Sequence, residues 1–298
     1  MENTDPDLPA ANSWALPAST CATSRTCPTC GAAADVPPAT APLIYALGRV
    51  EARFPRLSVE KEYAQITRRS DTAGLTDRQV LHSVLSKPEN RYLARQCCWL
   101  FKIGGLETYI LVPREPGDLG LIVDALRPAP SPSDVDAVVG VRGPVAPPDV
   151  CNGLQVPIVT VDQLYLFDRE SLIKSIPRPE RVAADRFQAT AQELFDRIIQ
   201  LVDNTGATSG HRALNYLALR YPAIYVHTAE RFGENFSLTS VDVRSSPFTG
   251  GREMVDVTFT YTNRATDVND KFFCRVDVTD QFPFLVTKLS PYLDRSGL

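Results

Sequence analysis

Apolar residues first become regular at Leu43-Ile44-Tyr45-Ala46-Leu47, and two periods then share the rest of the chain. Spacing of three and four residues puts apolar side chains on one helix face, whereas alternation by two puts them on one face of a strand. Between Ala183 and Val202 the positions Phe187, Ala191, Leu194, Phe195, Ile198 and Val202 follow the helical period and predict an amphipathic helix. Ser58 is placed to cap a helix through Tyr63 and Ile66, and Thr76-Asp77 to start another carrying Val80, Leu81, Val84 and Leu85. Pro116 to Leu126 also reads as helical. His211 to Phe232 is a longer helical stretch that Pro222 must kink or restart, since proline has no amide proton and collides with the preceding turn.

The two-residue period dominates elsewhere. Cys97 to Ile103 and Glu107 to Val112, joined at Gly104-Gly105-Leu106, predict a hairpin offering Trp99, Phe101, Ile103, Tyr109 and Leu111 to a core. Val135 to Val141 and Val156 to Val161 read as buried strands, with Pro147-Pro148 breaking the chain between them. After Gly233, four β-branched runs (236–244, 254–262, 271–278 and 283–289) predict an antiparallel sheet. The expected class is α+β: one compact domain over residues 44–298, with amphipathic helices and a C-terminal antiparallel sheet. Residues 1–43, rich in Pro, Ala, Ser and Thr, offer too little apolar surface to offset the entropy of ordering, and are expected to be a flexible tail.

Charge narrows the class of partner. With 31 Lys+Arg against 35 Asp+Glu the chain carries a net charge of -4, which argues against affinity built on neutralising many phosphates. No run approaches the 18 or so apolar residues of a membrane span, and the start lacks the basic and apolar stretches of a signal peptide. A cytoplasmic protein with neither nucleic acid nor membrane as partner is expected. Seven cysteines, an odd number scattered over 298 residues, fit reduced thiols or a metal site better than a secreted disulfide framework.

Specific strings carry a resemblance. Tyr45-Ala-Leu-Gly-Arg-Val-Glu-Ala-Arg-Phe-Pro55, Val59-Glu-Lys-Glu-Tyr-Ala-Gln65, Asn90-Arg-Tyr-Leu93, Gly105-Leu-Glu-Thr-Tyr-Ile110, Arg127-Pro-Ala-Pro-Ser-Pro132 and Cys151-Asn-Gly-Leu154 belong to it. So do Ala213-Leu-Asn-Tyr-Leu-Ala-Leu-Arg-Tyr-Pro-Ala-Ile-Tyr225, Val276-Asp-Val-Thr279 and the run from Phe282 to Tyr292. Spread over residues 44–295, these strings resemble the C-terminal domain of the cyanobactin maturation protease PatG. In that family the domain follows a subtilisin-like macrocyclase, a related copy ends the partner protease, and its own activity is unassigned. The present chain has no protease region, so the catalytic triad is not carried over. The resemblance implies an accessory or peptide-handling domain of peptide maturation, here expected as a free-standing polypeptide.

Cys27-Pro-Thr-Cys30-Gly31 is one half of a knuckle that sets two thiolates around a single Zn²⁺. No second CxxC exists, so two further ligands must come from separate elements. Alternation places Cys97 with Trp99, Phe101 and Ile103, and Cys98 on the opposite face with Leu100 and Lys102. Cys151 sits in a loop between Pro147-Pro148 and Asn152-Gly153, where a thiolate is free to turn. The expected site is therefore Cys27, Cys30, Cys98 and Cys151, a closed structural Cys₄ centre fastening the tail to the body. The competing readings are a redox CxxC, which wants a thioredoxin-like context absent here, and unligated thiols. Cys274 reads as a buried hydrophobe and Cys21 as free.

No catalytic constellation stands out. His82 and His227 lie in helical stretches without a matching nucleophile or acid, and His211, beside Gly210 at a helix start, reads as a cap. Glu60 and Glu62 fit a solvated helix face, Asp277 and Asp280 a turn, and Gly104-Gly105 and Gly250-Gly251 lack phosphate-loop spacing. An enzyme is disfavoured. Arg49, Arg53, Phe54 and Arg56, with Arg220, Tyr221 and Tyr225, are candidates for a groove in which arginines meet peptide carboxylates and rings cover apolar side chains. The competing reading makes them an internal interface. The expectation is a non-catalytic accessory domain with a structural zinc, binding a precursor peptide or a modifying enzyme. A peptide-modifying enzyme using a cryptic site such as His211, or a dimerisation scaffold pairing through strand edges, are the alternatives.

Overall fold

The computed structural model describes residues 42–68, 75–127, 134–180, 182–199, 204–247 and 250–292. Residues from Ala41 onward form one compact unit. Its first half is a closed barrel of β1 (Leu43–Arg53), β2 (Cys98–Ile103), β3 (Leu106–Pro113), β4 (Val135–Val145) and β5 (Pro157–Phe167). The strands run around the wall in the order β1-β2-β3-β5-β4, with β3 and β5 parallel and the other pairs antiparallel. This is the strand order of a five-stranded Greek-key barrel of the OB type. Helices α1 (Leu57–Arg68), α2 (Asp77–Leu85) and the short α3 (Arg91–Ala94) follow β1, and α4 (Leu119–Asp124) lies between β3 and β4. Thr76 caps α2 through the Gln79 amide, and the Gln79 side chain returns the bond to the Thr76 amide.

Ile44 to Leu47 of β1, Cys98 to Phe101 of β2 and Ala137 to Val139 of β4 are buried on both faces, which removes polar alternation from these stretches. Ile44, Ala46 and Val50 of β1 point inward to Trp99, Phe101, Tyr109, Leu111, Val138 and Val159, a core closed by Val59, Val84, Leu93 and Ile122 of the four helices. Tyr45 and Leu47, with Ala137 and Val139 of β4, point outward into a second core. That second core joins the barrel to the other half of the molecule.

The second half consists of α5 (Arg169–Ser175), α6 (Ala184–Ile199), α7 (Ser209–Arg220) and α8 (Ala223–Gly233), followed by an antiparallel sheet. The sheet is β6 (Phe236–Ser245), β7 (Met254–Asn263), β8 (Asn269–Asp277) and β9 (Phe284–Pro291), in sequential order. Val255, Val257, Phe259 and Tyr261 of β7, with Cys274 and Val276 of β8, cover the helices from one side. Pro222 ends one helix and restarts the next: α7 stops at Arg220 and α8 begins at Ala223. The α+β class and the C-terminal antiparallel sheet are thus as expected, and the barrel is a second sheet that the pattern did not announce.

One polar cluster fixes the joint between the halves. Asn215 of α7 is fully buried, and its Nδ2 donates to the Tyr45 carbonyl of β1 at 2.8 Å. Asn204 donates to Asn215 Oδ1 at 2.8 Å and to the Ile198 carbonyl at 3.2 Å, while the Tyr45 amide donates to Gly206 O at 3.0 Å. Gly206 has φ +73°, and a Cβ there would lie 2.4 Å from Tyr45 O, so both its conformation and its contact demand glycine. Tyr109 inside the barrel closes the set by donating to Thr205 O at 3.0 Å.

Candidate functional site

Cys98, the first residue of β2, lies on the barrel's outer face with Leu100 and Ile110, opposite Trp99 and Phe101, as alternation requires. The segment linking β4 to β5 folds back over this face and adds Ala146, Val150, Cys151, Leu154 and Val156 to a small apolar cluster. Cys98 and Cys151 meet there, with Cα atoms 5.6 Å apart, and they are joined as a disulfide. That corrects the expected chemistry of the pair in this state, because a sulfur bonded to sulfur has no thiolate to offer a metal. The expected meeting of the two residues stands. Cys27 and Cys30 lie outside the described residues, as does Cys21.

Cys151, Asn152 and Gly153 have φ values of 51°, 58° and 82°, a run of three left-handed residues of which only the last is glycine. Such a conformation persists where surrounding contacts over-determine it. Here the ties are the sulfur bond, the hydrogen bond from Asn152 Nδ2 to Phe54 O at 3.2 Å, and that from Ala146 N to Val156 O at 2.9 Å. The two free cysteines of the described residues are of another kind. Burial pushes the Cys97 and Cys274 thiols up to about 12, which keeps both protonated, and Cys97 Sγ donates to Leu93 O.

The arginine and aromatic candidates do not converge. Arg53, at the end of β1, pairs with Glu107 of β3; Arg49 donates to Asp134 O at 3.3 Å; Phe54 stacks on Tyr63 with ring centres 4.8 Å apart; and Arg56 is exposed. Arg220 lies over the Tyr165 ring and reaches the Tyr45 hydroxyl, at the opposite end of β1. Tyr221 accepts from the Leu289 amide at 3.0 Å, and Tyr225 is 1% exposed with its hydroxyl donating to Ala218 O at 2.7 Å. Tyr225 is therefore core and not groove, because α8 turns Ile224, Tyr225, Thr228 and Ala229 toward the sheet.

A pocket of about 400 Å³ lies where the start of α7 meets β6, lined by Thr208, Ser209, His211, Asp242, Val243 and Arg244 among others. Thr208 caps α7 by accepting from the His211 amide at 3.1 Å, and a Cβ at Gly210 would come 2.8 Å from Val243 Cγ1, so glycine lets the helix approach the strand. β6 is an edge strand. His227 packs edge-on against Phe272, 4.2 Å between ring centres, and burial with nearby Arg231 pulls it down to about 4. His82 is likewise lowered by burial, against the opposing pull of Asp124. Both are half-buried on their helices, and burial disfavours the charged form of each. Among the described residues no group of three or more His, Cys, Asp or Glu side chains is arranged to hold a metal.

Residues 181–292 match the family model described as PatG C-terminal. The match makes this C-terminal segment similar to the PatG C-terminal family. A solved structure described as a PatG domain of unknown function superposes with a TM-score of 0.68 at 20% identity, covering 85% of this chain and 99% of its own. The shared fold therefore extends beyond the matched residues into the barrel. Among curated proteins none matches. The PatG C-terminal segment contains the α7–β6 pocket, Asn204, Asn215 and Gly206. The cysteine strap lies outside it.

The polar joint was not anticipated. Its signal was Asn215 within the otherwise apolar run Ala213-Leu-Asn-Tyr-Leu-Ala-Leu219, since a polar side chain on a buried helix face requires a partner. Buried Arg212, three residues earlier, carries the same signal: it donates to Val278 O at 2.7 Å and to Asp280 O, tying α7 to the turn after β8.

Proposed function

We propose that this chain is a non-catalytic accessory domain in the maturation of a ribosomally made, post-translationally modified peptide of the cyanobactin kind, acting in the cytoplasm. The observation that carries the reading is the PatG C-terminal match, extended by a fold shared over nearly the whole of a PatG domain. Its partner is the precursor peptide. The exposed edge of β6 beside the α7 pocket suits an extended peptide, which would add as a strand and seat one side chain among His211, Asp242 and Arg244.

The reading includes a structural Zn²⁺ held by Cys27, Cys30, Cys98 and Cys151, which requires the Cys98–Cys151 disulfide to be reduced first.

The test of function is titration of a fluorescently labelled precursor peptide from the same biosynthetic cluster, with Val243→Pro as control, since proline removes an edge amide. Saturable binding weakened at least tenfold by the variant supports strand addition; no binding at 100 μM, or binding untouched by the variant, contradicts it. One observation favours a second reading. His211 lines the pocket with Ser209 and Asp242, and turnover of that peptide by pure protein, lost in His211→Ala, would make the chain an enzyme. Self-pairing through β9, whose Phe284 and Val286 are 44% and 45% exposed, would appear as a dimer in light scattering.

A further inference from the structure

The C-terminal sheet has two edges, and they are not equivalent. β9 pairs with β8 through two register shifts, and its Leu289 amide already donates to the Tyr221 hydroxyl at 3.0 Å. β6 is regular from Ser240 to Ser245, past a single shift between Leu238 and Ser240, and it borders the α7 pocket. We propose that this edge selects an extended peptide segment by sequence: in antiparallel register, an acidic residue opposite Arg244, a large apolar residue opposite Val243 and a basic residue opposite Asp242. The proposal rests on the peptide-binding reading above and adds the chemistry of the segment that the site takes.

The register fixes which backbone groups are offered. The Ser246 amide donates to Met254 O at 2.8 Å, and Arg244, Asp242 and Ser240 stand opposite Asp256, Thr258 and Thr260 of β7. In an antiparallel pair the hydrogen-bonded positions recur at every second residue. These even-numbered residues therefore bond to β7, and Val241, Val243 and Ser245 turn their amides and carbonyls to the outside. Side chains alternate as well: Val241 and Val243 pack toward the helices, whereas Asp242 and Arg244 are exposed on the other face. An antiparallel residue opposite Val243 shares its face and enters the pocket, while the two residues flanking it lie beside Arg244 and Asp242.

The pocket offers about 400 Å³ between the start of α7 and β6, over a floor of Leu214, Val241, Val243 and Val255. Two hydroxyls at its rim are already engaged, Thr208 accepting from the His211 amide at 3.1 Å and Ser209 donating to Glu253. The surface left to cover is mainly apolar, and with the His211 ring beside it a large aromatic side chain fits best. On the outer face, opposite charges directly across a strand pair stabilise it and like charges destabilise it. Arg244 and Asp242 carry opposite signs two residues apart, so an antiparallel segment reads acidic, apolar, basic from its N-terminus. The reversed order sets like charges together at both positions.

The test is fluorescence anisotropy of the full chain with three labelled synthetic peptides: Thr-Thr-Glu-Phe-Lys-Thr-Thr, its charge-reversed form Thr-Thr-Lys-Phe-Glu-Thr-Thr, and Thr-Thr-Glu-Ala-Lys-Thr-Thr. The Glu-Phe-Lys peptide should bind on the order of fivefold tighter than the reversed one and on the order of tenfold tighter than the alanine one. The order of the first two should invert in Asp242→Lys/Arg244→Glu, and hydrogen exchange followed by NMR should slow at the Val241, Val243 and Ser245 amides when the first peptide is bound. Both altered side chains are exposed, and the comparison of peptides on the wild-type chain stands without the variant. Equal binding of the first two peptides, a preference for the reversed one, or no saturation by any of them at 500 μM overturns the sequence rule. The precursor titration with Val243→Pro then reads strand addition separately: precursor binding that the variant still weakens leaves that reading standing, and its absence overturns both.

Discussion

The barrel meets its surroundings on two outer faces, and the two contacts are built differently. Against α7 the joint is a satisfied polar network in which Asn204, Asn215, Tyr45 and Gly206 use one another's donors and acceptors inside a large apolar core. On the far side, the segment from Ala146 to Val156 covers β2, β3 and β5 with a small cluster and one sulfur bond. A buried network of this kind cannot be opened in part, since each orphaned group carries the full cost of its desolvation. A strap held by a small apolar cluster and one disulfide can, because cutting that bond orphans no buried polar group. The first contact fixes how the halves sit, and the second can loosen by itself.

The largest effect should come from breaking the joint. Asn215→Ala leaves Asn204 Oδ1 and the Tyr45 carbonyl unsatisfied, Asn204 keeping only its bond to Ile198 O, and should cost roughly 3–5 kcal/mol, read as a fall in denaturation midpoint or as failure to accumulate folded protein. Gly206→Ala, with φ +73° and a Cβ 2.4 Å from Tyr45 O, should match it. An Asn215→Ala protein as stable as wild type would remove the joint from the comparison.

Cutting the strap should cost less and act differently. Cys98 and Cys151 are 53 residues apart, and losing a crosslink over such a loop lowers stability by about 2–4 kcal/mol, mainly by freeing the unfolded chain. Cys151→Ala should therefore lower the midpoint of oxidised protein while leaving the α7 joint native by amide exchange.

Acidity separates the cores further. Asp136 of β4 accepts from the Val50 amide at 2.8 Å, and burial, outweighing that bond and the Arg78 charge, raises its pKa to about 6. The unfolded chain gives up this proton near 4, so the native state loses relative stability as pH rises from about 4 to 6, by on the order of 2–3 kcal/mol. His227, lowered to about 4, works the other way, losing stability as pH falls from 6.5 toward 4. The stability of Asp136→Asn relative to wild type should thus grow between pH 4 and 7, and a pH-independent difference would contradict the raised pKa. The smallest effect is expected at Arg53, whose pair with Glu107 is part-exposed: Arg53→Gln should change stability by less than about 1 kcal/mol.

Elements with one wet face were legible in the sequence. The amphipathic α6, the capped α2 and the four C-terminal strands each print a period because one side of each element meets solvent, and the β2–β3 hairpin is announced by its glycine turn. The barrel does not, since Ile44 through Leu47 are all buried, two toward each core, and its closure depends on the distant pairings of β1 with β4 and β3 with β5. At the site, alternation placed Cys98 outside and the Pro-Pro break placed Cys151 on a turn, so their convergence was readable. Their bond was not, because spacing never fixes connectivity. Tyr225 was misplaced for want of one step: its neighbours Ile224, Thr228 and Ala229 mark the buried face of α8.

The most direct measurement is hydrogen exchange, resolved by peptide, on oxidised and dithiothreitol-reduced wild-type protein without added zinc. Faster exchange on reduction should be confined to residues 146–156 and the adjoining start of β2, with α7 and residues 204–208 unchanged. Acceleration spread evenly over both faces, or none at the strap, would show that the two contacts do not differ in kind.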